Sequence, residues 1–292
     1  MPVFQHLLIT SVAEASLSGE GIVGGYNAKE GEFPYQISLD MYGYNICGGS
    51  IIGERHIVTA AHCVILTNGT FRDIPLKVVA GIIDLKSRST KRIVVDVIKA
   101  TVPKEYISQK HIRSIGDIAV LKLSKNLGLA NNSHISKINL PLTNSTYAGV
   151  KAVISGFGLN KVDVAIDTRT GRYIEKNGVL YNKMRYAEAN VLSQAACQKY
   201  FFDPINTKHI CAGLVQRYRS DPEGVCSGDS GGPLVYKDVL IGVVSTSPLG
   251  CIENLQPAVY TRVSKYVDFI YKAVQDITDN TMKSSYLPWV NN

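Results

Sequence analysis

Cys226-Ser227-Gly228-Asp229-Ser230-Gly231-Gly232-Pro233 is the stretch of this 292-residue chain from which fold and chemistry can be inferred. Ser230 stands among glycines, whose backbone freedom permits sharp turns and leaves amide N–H groups free to face a ligand. A nucleophile with an oxyanion-binding site requires this arrangement. By itself, the pattern Gly-x-Ser-x-Gly also fits a glycine-rich turn with an incidental serine, so the rest of the chain must decide.

The order of residues along the chain restricts the chemistry. An α/β-hydrolase also reads Gly-x-Ser-x-Gly, but it places its acid and its histidine after the serine. No histidine follows Ser230 in this sequence. A general base must therefore come from earlier in the chain, and His62 and Asp117 complete the triad order His, Asp, Ser.

Three segments carry a family resemblance. Thr59-Ala60-Ala61-His62-Cys63, Gly116-Asp117-Ile118-Ala119-Val120-Leu121 and the segment around Ser230 resemble, in this order, the three motifs of the trypsin and chymotrypsin family of serine endopeptidases. The resemblance runs from residue 22 to about residue 274. It implies an all-β fold of two packed antiparallel six-stranded Greek-key β-barrels with a C-terminal helix and the site in the crevice between the barrels. Short β-rich runs separated by turn residues agree with such a fold.

The resemblance and the composition together predict the domain organisation. A short apolar region that ends at Ala13-Glu14-Ala15 is typical of a signal peptide, and the expected helix would have Ser264 as its N-cap. Residues 160–178 are expected to form a mobile surface loop. The predicted segments are a signal peptide (1–15), an activation peptide (16–21), the protease domain (22–275) with an N-terminal barrel (about 36–140), a C-terminal barrel (about 152–263) and a helix (264–275), and a frayed polar tail (276–292).

The resemblance assigns catalytic roles to the motif residues. Ser230 would be the nucleophile, His62 its general base, and Asp117 the carboxylate that orients the imidazole. The N–H groups of Gly228 and Ser230 would form the oxyanion hole.

Activation is expected at the start of the protease domain. In the family, a cut directly before an isoleucine equivalent to Ile22 creates an α-ammonium, which pairs with the aspartate preceding the nucleophile, here Asp229. Gly21 stands where most relatives have Arg or Lys. A trypsin-like activator is therefore not expected.

Four residues are predicted to bind the substrate side chain. By resemblance, Gly224 is the floor of the pocket, and Ser245, Ser247 and Ala258 lie on or beside its walls. An uncharged floor disfavours Arg and Lys and predicts a neutral, narrowed pocket for Leu, Met, Ala, Tyr or Phe. In an alternative interpretation, Glu253 supplies an acid and gives trypsin-like specificity.

The six cysteines favour disulfides over zinc, because no Cys-x-x-Cys spacing occurs. The sequence alone leaves fifteen pairings open. The resemblance implies the pairs Cys47 with Cys63, Cys197 with Cys211, and Cys226 with Cys251. We expect no metal and no cofactor, since Ile82 and basic residues occupy the loop where calcium-binding relatives need acids.

Composition excludes several other classes of protein. A hydrophobic content of 45% and a charged content of 19% describe an ordinary globular chain. The net charge of +7 is dispersed, and its densest run, residues 86–92, favours a solvated hairpin tip over a nucleic-acid site. No segment has the apolar length of a membrane span. Sequons at Asn68, Asn131 and Asn144 fit a secreted glycoprotein.

The sequence predicts a secreted, monomeric serine endopeptidase made as a zymogen, whose partners are protein or peptide substrates and protein protease inhibitors. A second hypothesis is a catalytically silent homologue that acts as a binding or cascade-cofactor protein. Gly21 favours the second hypothesis, as does Thr246, which stands where relatives have tryptophan. The intact His62, Asp117, Ser230 and Gly228 favour the enzyme.

Overall fold

The structure, a computed structural model, describes residues 22–23, 25–108, 115–142, 144–167, 172–180, 182–214, 224–248, 251, 256–277 and 279–287. The predicted signal and activation peptides lie outside these residues. β-strands outnumber helices in the described chain, whose three α-helices are short: α1 (Lys104–Ser108), α2 (Gln194–Gln198) and α3 (Val267–Val274). The strands are β1 (Tyr26–Asn27), β2 (Gln36–Met41), β3 (Tyr44–Gly53), β4 (His56–Thr59), β5 (Lys77–Ala80), β6 (Ile93–Pro103), β7 (Ala119–Leu123), β8 (Lys151–Gly156), β9 (Leu159–Asp167), β10 (Arg172–Leu180), β11 (Arg185–Leu192), β12 (His209–Leu214), β13 (Pro233–Tyr236), β14 (Val239–Thr246), β15 (Ala258–Arg262) and β16 (Met282–Tyr286).

The N-terminal half closes into a barrel of six antiparallel strands. Its order is β2-β3-β4-β7-β6-β5, and β5 pairs back with β2. The inward side chains of β2 are apolar and fully buried, as Ile37 and Leu39 are. Because successive side chains of a strand point to opposite faces, Ile37 and Leu39 share the face that lines the core of this barrel.

The C-terminal half forms a second barrel with the same topology. Its order is β8-β11-β12-β15-β14-β13, closed by pairing between β13 and β8. In each barrel three successive strands are neighbours and the fourth returns beside the first, which is the Greek-key arrangement. The predicted fold class of two six-stranded Greek-key barrels is therefore confirmed.

The two barrels pack against each other over apolar and polar contacts. Val235, Leu240 and Val243 of the second barrel belong to the same apolar cluster as the core of the first. The Ser155 hydroxyl donates to Gln36 Oε1 at 2.7 Å, and both residues are buried. Gly232, two residues after Ser230, packs beside this contact, so the loop that carries Ser230 lies where the two barrels meet.

The C-terminal helix begins later than the sequence predicts. A 3₁₀ turn, Val263–Lys265, precedes α3, and Tyr266 rather than Ser264 occupies the N-cap position. The buried Ser264 hydroxyl has no hydrogen-bond partner among the described residues. The helix packs on the N-terminal barrel through Ile270 and Ala273, so a segment that follows the second barrel completes the core of the first.

The polar stretch after α3, for which the sequence favours a frayed tail, contains a strand. β16 pairs antiparallel with β6, and Met282 and Leu287 are buried at 5% and 3% exposure. Asp276 forms ion pairs with Lys99 and Lys122. These contacts explain why a polar segment is ordered: it buries two apolar side chains and extends an existing sheet.

Residues 160–178, expected as a surface loop, lie largely in the ribbon of β9 and β10. The two strands pair only with each other among the described strands. The alternation in Val162-Asp163-Val164-Ala165-Ile166-Asp167 is a strand pattern that the loop interpretation overlooked. No helix in the described ranges has the length and apolar character needed to cross a membrane.

Candidate active site

Strand pairing brings His62 and Asp117 together. β4 and β7 are neighbours, with Thr59 opposite Ala119. His62 follows β4 in the 3₁₀ turn Ala61–Cys63, and Asp117 precedes β7 by two residues. Because the strands are antiparallel, the end of β4 and the start of β7 meet at one edge of the barrel, and both side chains are delivered there.

The Asp117 carboxylate is fully buried and binds His62 twice. Oδ2 lies 2.8 Å from the ring nitrogen Nδ1, and Oδ1 accepts the main-chain N–H of His62 at 2.9 Å. A buried carboxylate is costly unless hydrogen bonds compensate for its lost hydration. With Nδ1 held by Asp117, the ring nitrogen Nε2 is the one left to exchange a proton with a substrate or a nucleophile.

Two residues of the second barrel complete the surroundings of Asp117. The Ser245 hydroxyl donates to Oδ2 at 2.6 Å, and the Thr261 hydroxyl donates to the Asp117 carbonyl oxygen at 2.7 Å. The carboxylate and its main chain are thereby fixed from both barrels. Ser245, predicted to bind the substrate, thus has its hydroxyl engaged by Asp117.

The protonation of His62 is set by two opposing effects. Burial lowers the pKa of the ring, as does the charge of Arg72, while the charge of Asp117 and its hydrogen bond raise the pKa. The electrostatic effects prevail, so the pKa of His62 lies above its ordinary value. About a third of the side chain, 32%, remains exposed, so the ring is accessible to solvent or to a ligand.

The loop that carries Ser230 docks on the N-terminal barrel beside His62. The Ser230 carbonyl oxygen accepts the Gly48 N–H at 2.7 Å and contacts the Cys63 sulfur at 3.8 Å. Gly231 packs so closely on Thr59 that any side chain would overlap it. Ser230 is therefore anchored to the segment that bears His62, and its side chain is partly exposed.

The same loop presents two main-chain donors. Gly228 has φ of +96°, a conformation that favours glycine. Within the described residues, the N–H groups of Gly228 and Ser230 donate to no acceptor. The Asn45 side chain links this loop to β2. Its amide nitrogen donates to the Gly228 carbonyl oxygen at 3.1 Å, and its amide oxygen accepts the Ser38 hydroxyl at 2.7 Å.

Asp229 lies on the inner side of the loop and is 1% exposed. Its oxygens accept the N–H groups of Gly158 at 2.8 Å and Cys226 at 3.0 Å. Burial raises the pKa of Asp229 to about 7, although the two hydrogen bonds act in the opposite direction. Among the described residues, the groups that bind the Asp229 carboxylate are main-chain N–H groups and not cations.

The segment at Ile22 is inserted into the C-terminal half. Ile22 is 1% exposed and belongs to the apolar cluster of the second barrel. The next residue, Val23, exchanges two main-chain hydrogen bonds with Gly224, at 3.0 and 3.1 Å. The predicted pocket floor is therefore hydrogen-bonded directly to the segment that would become the new N-terminus after the predicted cut.

The structure describes only part of the predicted substrate pocket. Gly224 and Ala258 are buried, and Ser247 is half-buried directly after β14, next to the paired residues Thr246 and Val259. Glu253, the alternative acid, lies outside the described residues, as do residues 215–223. The side-chain preference of the pocket therefore remains a prediction from Gly224.

All six cysteines form disulfides: Cys47–Cys63, Cys197–Cys211 and Cys226–Cys251. The first joins the strand that holds Ser230 to the turn that carries His62, and the third anchors the loop before Gly228. Cys47, His62 and Cys63 are the one group of potential metal ligands that lie close together in the described part of the chain. The two sulfurs are oxidised and cannot serve as thiolate ligands.

Several contributors were not found from the sequence. Asn45, Ser38 and Thr261 act through hydrogen bonds between residues separated by 7 to 183 positions in the chain. Ser and Thr in strands are common, and no spacing distinguishes these from surface residues. No local pattern in the sequence singles out Asn45 either.

Comparisons with known proteins agree with this geometry. The family model described as Trypsin matches residues 22–270. "Serine protease 1" of Homo sapiens is 32% identical over 273 residues, which cover 92% of this chain and 97% of the relative. "Trypsin" of Squalus acanthias is 31% identical over 256 residues, covering 88% and 97%. "Anionic trypsin" of Canis lupus familiaris is 31% identical over 277 residues, covering 90% and 94%. The chain therefore belongs to the trypsin family, that is, to the chymotrypsin-like and trypsin-like serine proteases.

Proposed function

We propose that this protein is a secreted serine endopeptidase, made as a zymogen, that cleaves peptide bonds after apolar residues. The observation that carries the proposal is the bond between His62 Nδ1 and Asp117 Oδ2, with the Ser230 loop anchored beside it. A buried carboxylate that fixes an imidazole near a partly exposed serine is the arrangement that serine activation requires.

Each residue has a defined role in the proposed reaction. His62 Nε2 takes the proton of the Ser230 hydroxyl while Ser230 Oγ bonds to the carbonyl carbon of the substrate. The carbonyl oxygen becomes an oxyanion and accepts hydrogen bonds from the N–H groups of Gly228 and Ser230. Asp117 remains ionised and stabilises the imidazolium.

The intermediate then collapses, and the two halves of the substrate leave in turn. The C–N bond breaks, and His62 returns the proton to the leaving amine. Water next attacks the acyl group on Ser230, again with His62 as base, and the acid product departs. Proton and nucleophile are restored, so no cofactor is consumed.

Activation is proposed to involve the two groups buried in the C-terminal half. A cut before Ile22 creates an α-ammonium in a segment that is already inserted, and Asp229 is a buried carboxylate without a described cation. Pairing between them would hold the oxyanion loop, since Asp229 lies between Gly228 and Ser230. A broken buried ion pair leaves an uncompensated charge, which would keep the uncut chain inactive.

The preference for apolar residues rests on Gly224, which offers no charge at the pocket floor. Secretion and glycosylation at one or two of the three sequons are supported by the three disulfides and by the exposure of Asn68, Asn131 and Asn144. A peptide library profiled at the residue before the cut tests the pocket. Cleavage after Arg or Lys would favour Glu253 as its acid.

A fluorophosphonate probe tests the enzyme itself, because labelling needs an activated serine and a formed oxyanion hole. Chain cut before Ile22 is expected to be labelled at Ser230, whereas the uncut chain and the Ser230→Ala variant are not. If correctly cut chain is not labelled, the silent-homologue hypothesis replaces the proposal.

A further inference from the structure

The inserted segment at Ile22 is joined to the second barrel by a very short strand. β1 has two residues, both exposed, and pairs with β11 through Tyr26 opposite Tyr186 and Asn27 opposite Arg185. Two residues of strand supply few hydrogen bonds and bury little surface. Other contacts must therefore hold the segment in place.

Arg185 provides the most direct of these contacts. Arg185 is buried, with 6% of its surface exposed. Its Nη2 donates to the Gly25 carbonyl oxygen, and its Nη1 donates to Asn27 Oδ1 at 3.3 Å. Burying a guanidinium is costly unless acceptors replace its hydration. Two of the acceptors found here belong to the N-terminal segment itself.

Aromatic packing and a close main-chain approach surround the same point. The rings of Tyr26 and Tyr186 lie 5.5 Å apart, and Phe33 lies 5.0 Å from Tyr186. A Cβ atom on Gly25 would lie 2.6 Å from the Tyr186 carbonyl oxygen, so only glycine fits. Gly25 is thus clamped between Tyr186 and the guanidinium of Arg185.

Gly25 lies between β1, which pairs with β11, and the inserted residues Ile22 and Val23. Its N–H donates to the Ile22 carbonyl oxygen at 2.7 Å, and Val23 is bonded to Gly224. Fixing Gly25 therefore limits the positions that Ile22 can reach. Without the Arg185 contact, Gly25 would lose a side-chain donor, and the position of Ile22 would depend more on its own burial and on the hydrogen bonds of Val23.

We propose that Arg185 is a positioning residue for activation: its guanidinium holds Gly25 so that the new N-terminus at Ile22 stays inserted after the cut. The inference rests on the proposed function, and it names Arg185 as the side chain that favours insertion of the Ile22 terminus. A hydrogen bond that involves a charged group typically changes an equilibrium by about tenfold or more. Loss of Arg185 should lower the insertion equilibrium by about that factor.

The test uses the full chain, with Gly21 replaced by an engineered cleavage sequence that ends directly before Ile22. The variants are Arg185→Met, which keeps the apolar stem, and Arg185→Lys, which keeps the charge. Arg55→Met is the matched control, because Arg55 also donates to main-chain carbonyls, those of Leu123 and Ser124, but lies in the N-terminal barrel.

The first measurement is the rate at which an acylating reagent modifies the Ile22 α-amine, followed by mass spectrometry. We expect the rate to rise about tenfold in Arg185→Met, less in Arg185→Lys, and not in Arg55→Met. The α-amine of an exposed terminus has a pKa near 8, so a large fraction is unprotonated and reacts with the reagent near that pH. An inserted α-ammonium keeps its proton and is shielded, so it reacts more slowly.

The second measurement is the alkaline limit of activity. An inserted ammonium has a raised pKa, so activity is present below that pKa and lost as pH rises through it. A tenfold weaker insertion should move the midpoint about one pH unit lower. Titratable groups on the described elements around the segment include Asp229, Tyr26, Tyr186, Glu188 and Glu32, and the variants replace none of them.

The outcomes are distinguishable. If cut wild-type chain is labelled by the fluorophosphonate, but Arg185→Met shows unchanged amine reactivity and an unchanged alkaline midpoint, the role of Arg185 is refuted. If cut wild-type chain is not labelled at all, the proposed function fails, and the amine measurement still reports whether Arg185 holds the segment.

Discussion

Asp117 holds His62 at two points, the ring nitrogen at 2.8 Å and the main-chain N–H at 2.9 Å. The carboxylate therefore orients both the imidazole and the turn that carries it. Ser245 adds a third hydrogen bond at 2.6 Å from the other barrel. Asp117 links the two halves of the molecule at the site, and its properties lead to the first prediction.

Asp117→Asn should lower kcat by about 10⁴-fold, because an amide cannot hold the productive tautomer of His62 or stabilise its cation. The charge of Asp117 raises the pKa of His62, and His62 must be neutral to act as base. Activity is therefore lost as pH falls through this raised pKa, and the variant should lose it at a lower pH. Rates of hydrolysis across pH check both effects. An unchanged acid limb would contradict the assigned cause of the shift.

Asn45→Ala should weaken oxyanion stabilisation, since the Gly228 carbonyl oxygen loses its donor. Loss of about 1 kcal/mol of positioning predicts a fall of about fivefold in kcat, with the acid limb of His62 unchanged. Ser38→Ala removes only the hydroxyl that donates to Asn45, so its decrease in kcat should be smaller. Steady-state kinetics on the cut chain separate the two. A loss confined to stability, with normal kcat, would argue against a role for Asn45 at the site.

Asp229 should make the uncut chain less stable as pH rises. Its pKa in the folded chain is about 7, above that of an unfolded aspartate, so the folded state binds the extra proton between pH 4 and 7. The free energy of unfolding should therefore fall by up to about 1.4 kcal/mol per pH unit across this window. Urea denaturation of the uncut Ser230→Ala chain measures the slope.

Asp229→Asn in the same background is the control, because it has no proton to release. Its slope should be flatter, whatever its absolute stability. Equal slopes in the two proteins would show that Asp229 is not the titrating group. In the cut chain the ammonium of Ile22 should reduce the slope as well, because a cation lowers the pKa of its partner.

Leu287→Ala should destabilise the protein by about 2 to 4 kcal/mol, because Leu287 is 3% exposed in the core of the first barrel. Tyr286→Ala is the matched control, since Tyr286 is 70% exposed and its loss should cost less than about 1 kcal/mol. Thermal unfolding of both variants gives the comparison. Equal melting temperatures would mean that the segment after α3 is a frayed tail in solution.

Local motifs account for what was predicted correctly. The segments around His62, Asp117 and Ser230 resembled one family, and the two barrels and the three disulfides followed from that resemblance. The late start of α3 was not predicted, because the Ser264 hydroxyl, a common N-cap, does not cap a helix here. Likewise β16 is not expected from the sequence, because its order depends on pairing with β6 and on the burial of Met282 and Leu287, which no local pattern shows.

The sequence by itself determined the type of chemistry, since the order of His62, Asp117 and Ser230 and the glycines around Ser230 are part of the covalent chain and can be read directly from it. Only the tertiary structure decided how those groups are held. Ser245, Asn45 and Arg185 act on Asp117, Gly228 and Gly25 across 128, 183 and 160 positions of the chain. Hydrogen bonds of this kind depend on distances between strands, which no local pattern of residues encodes.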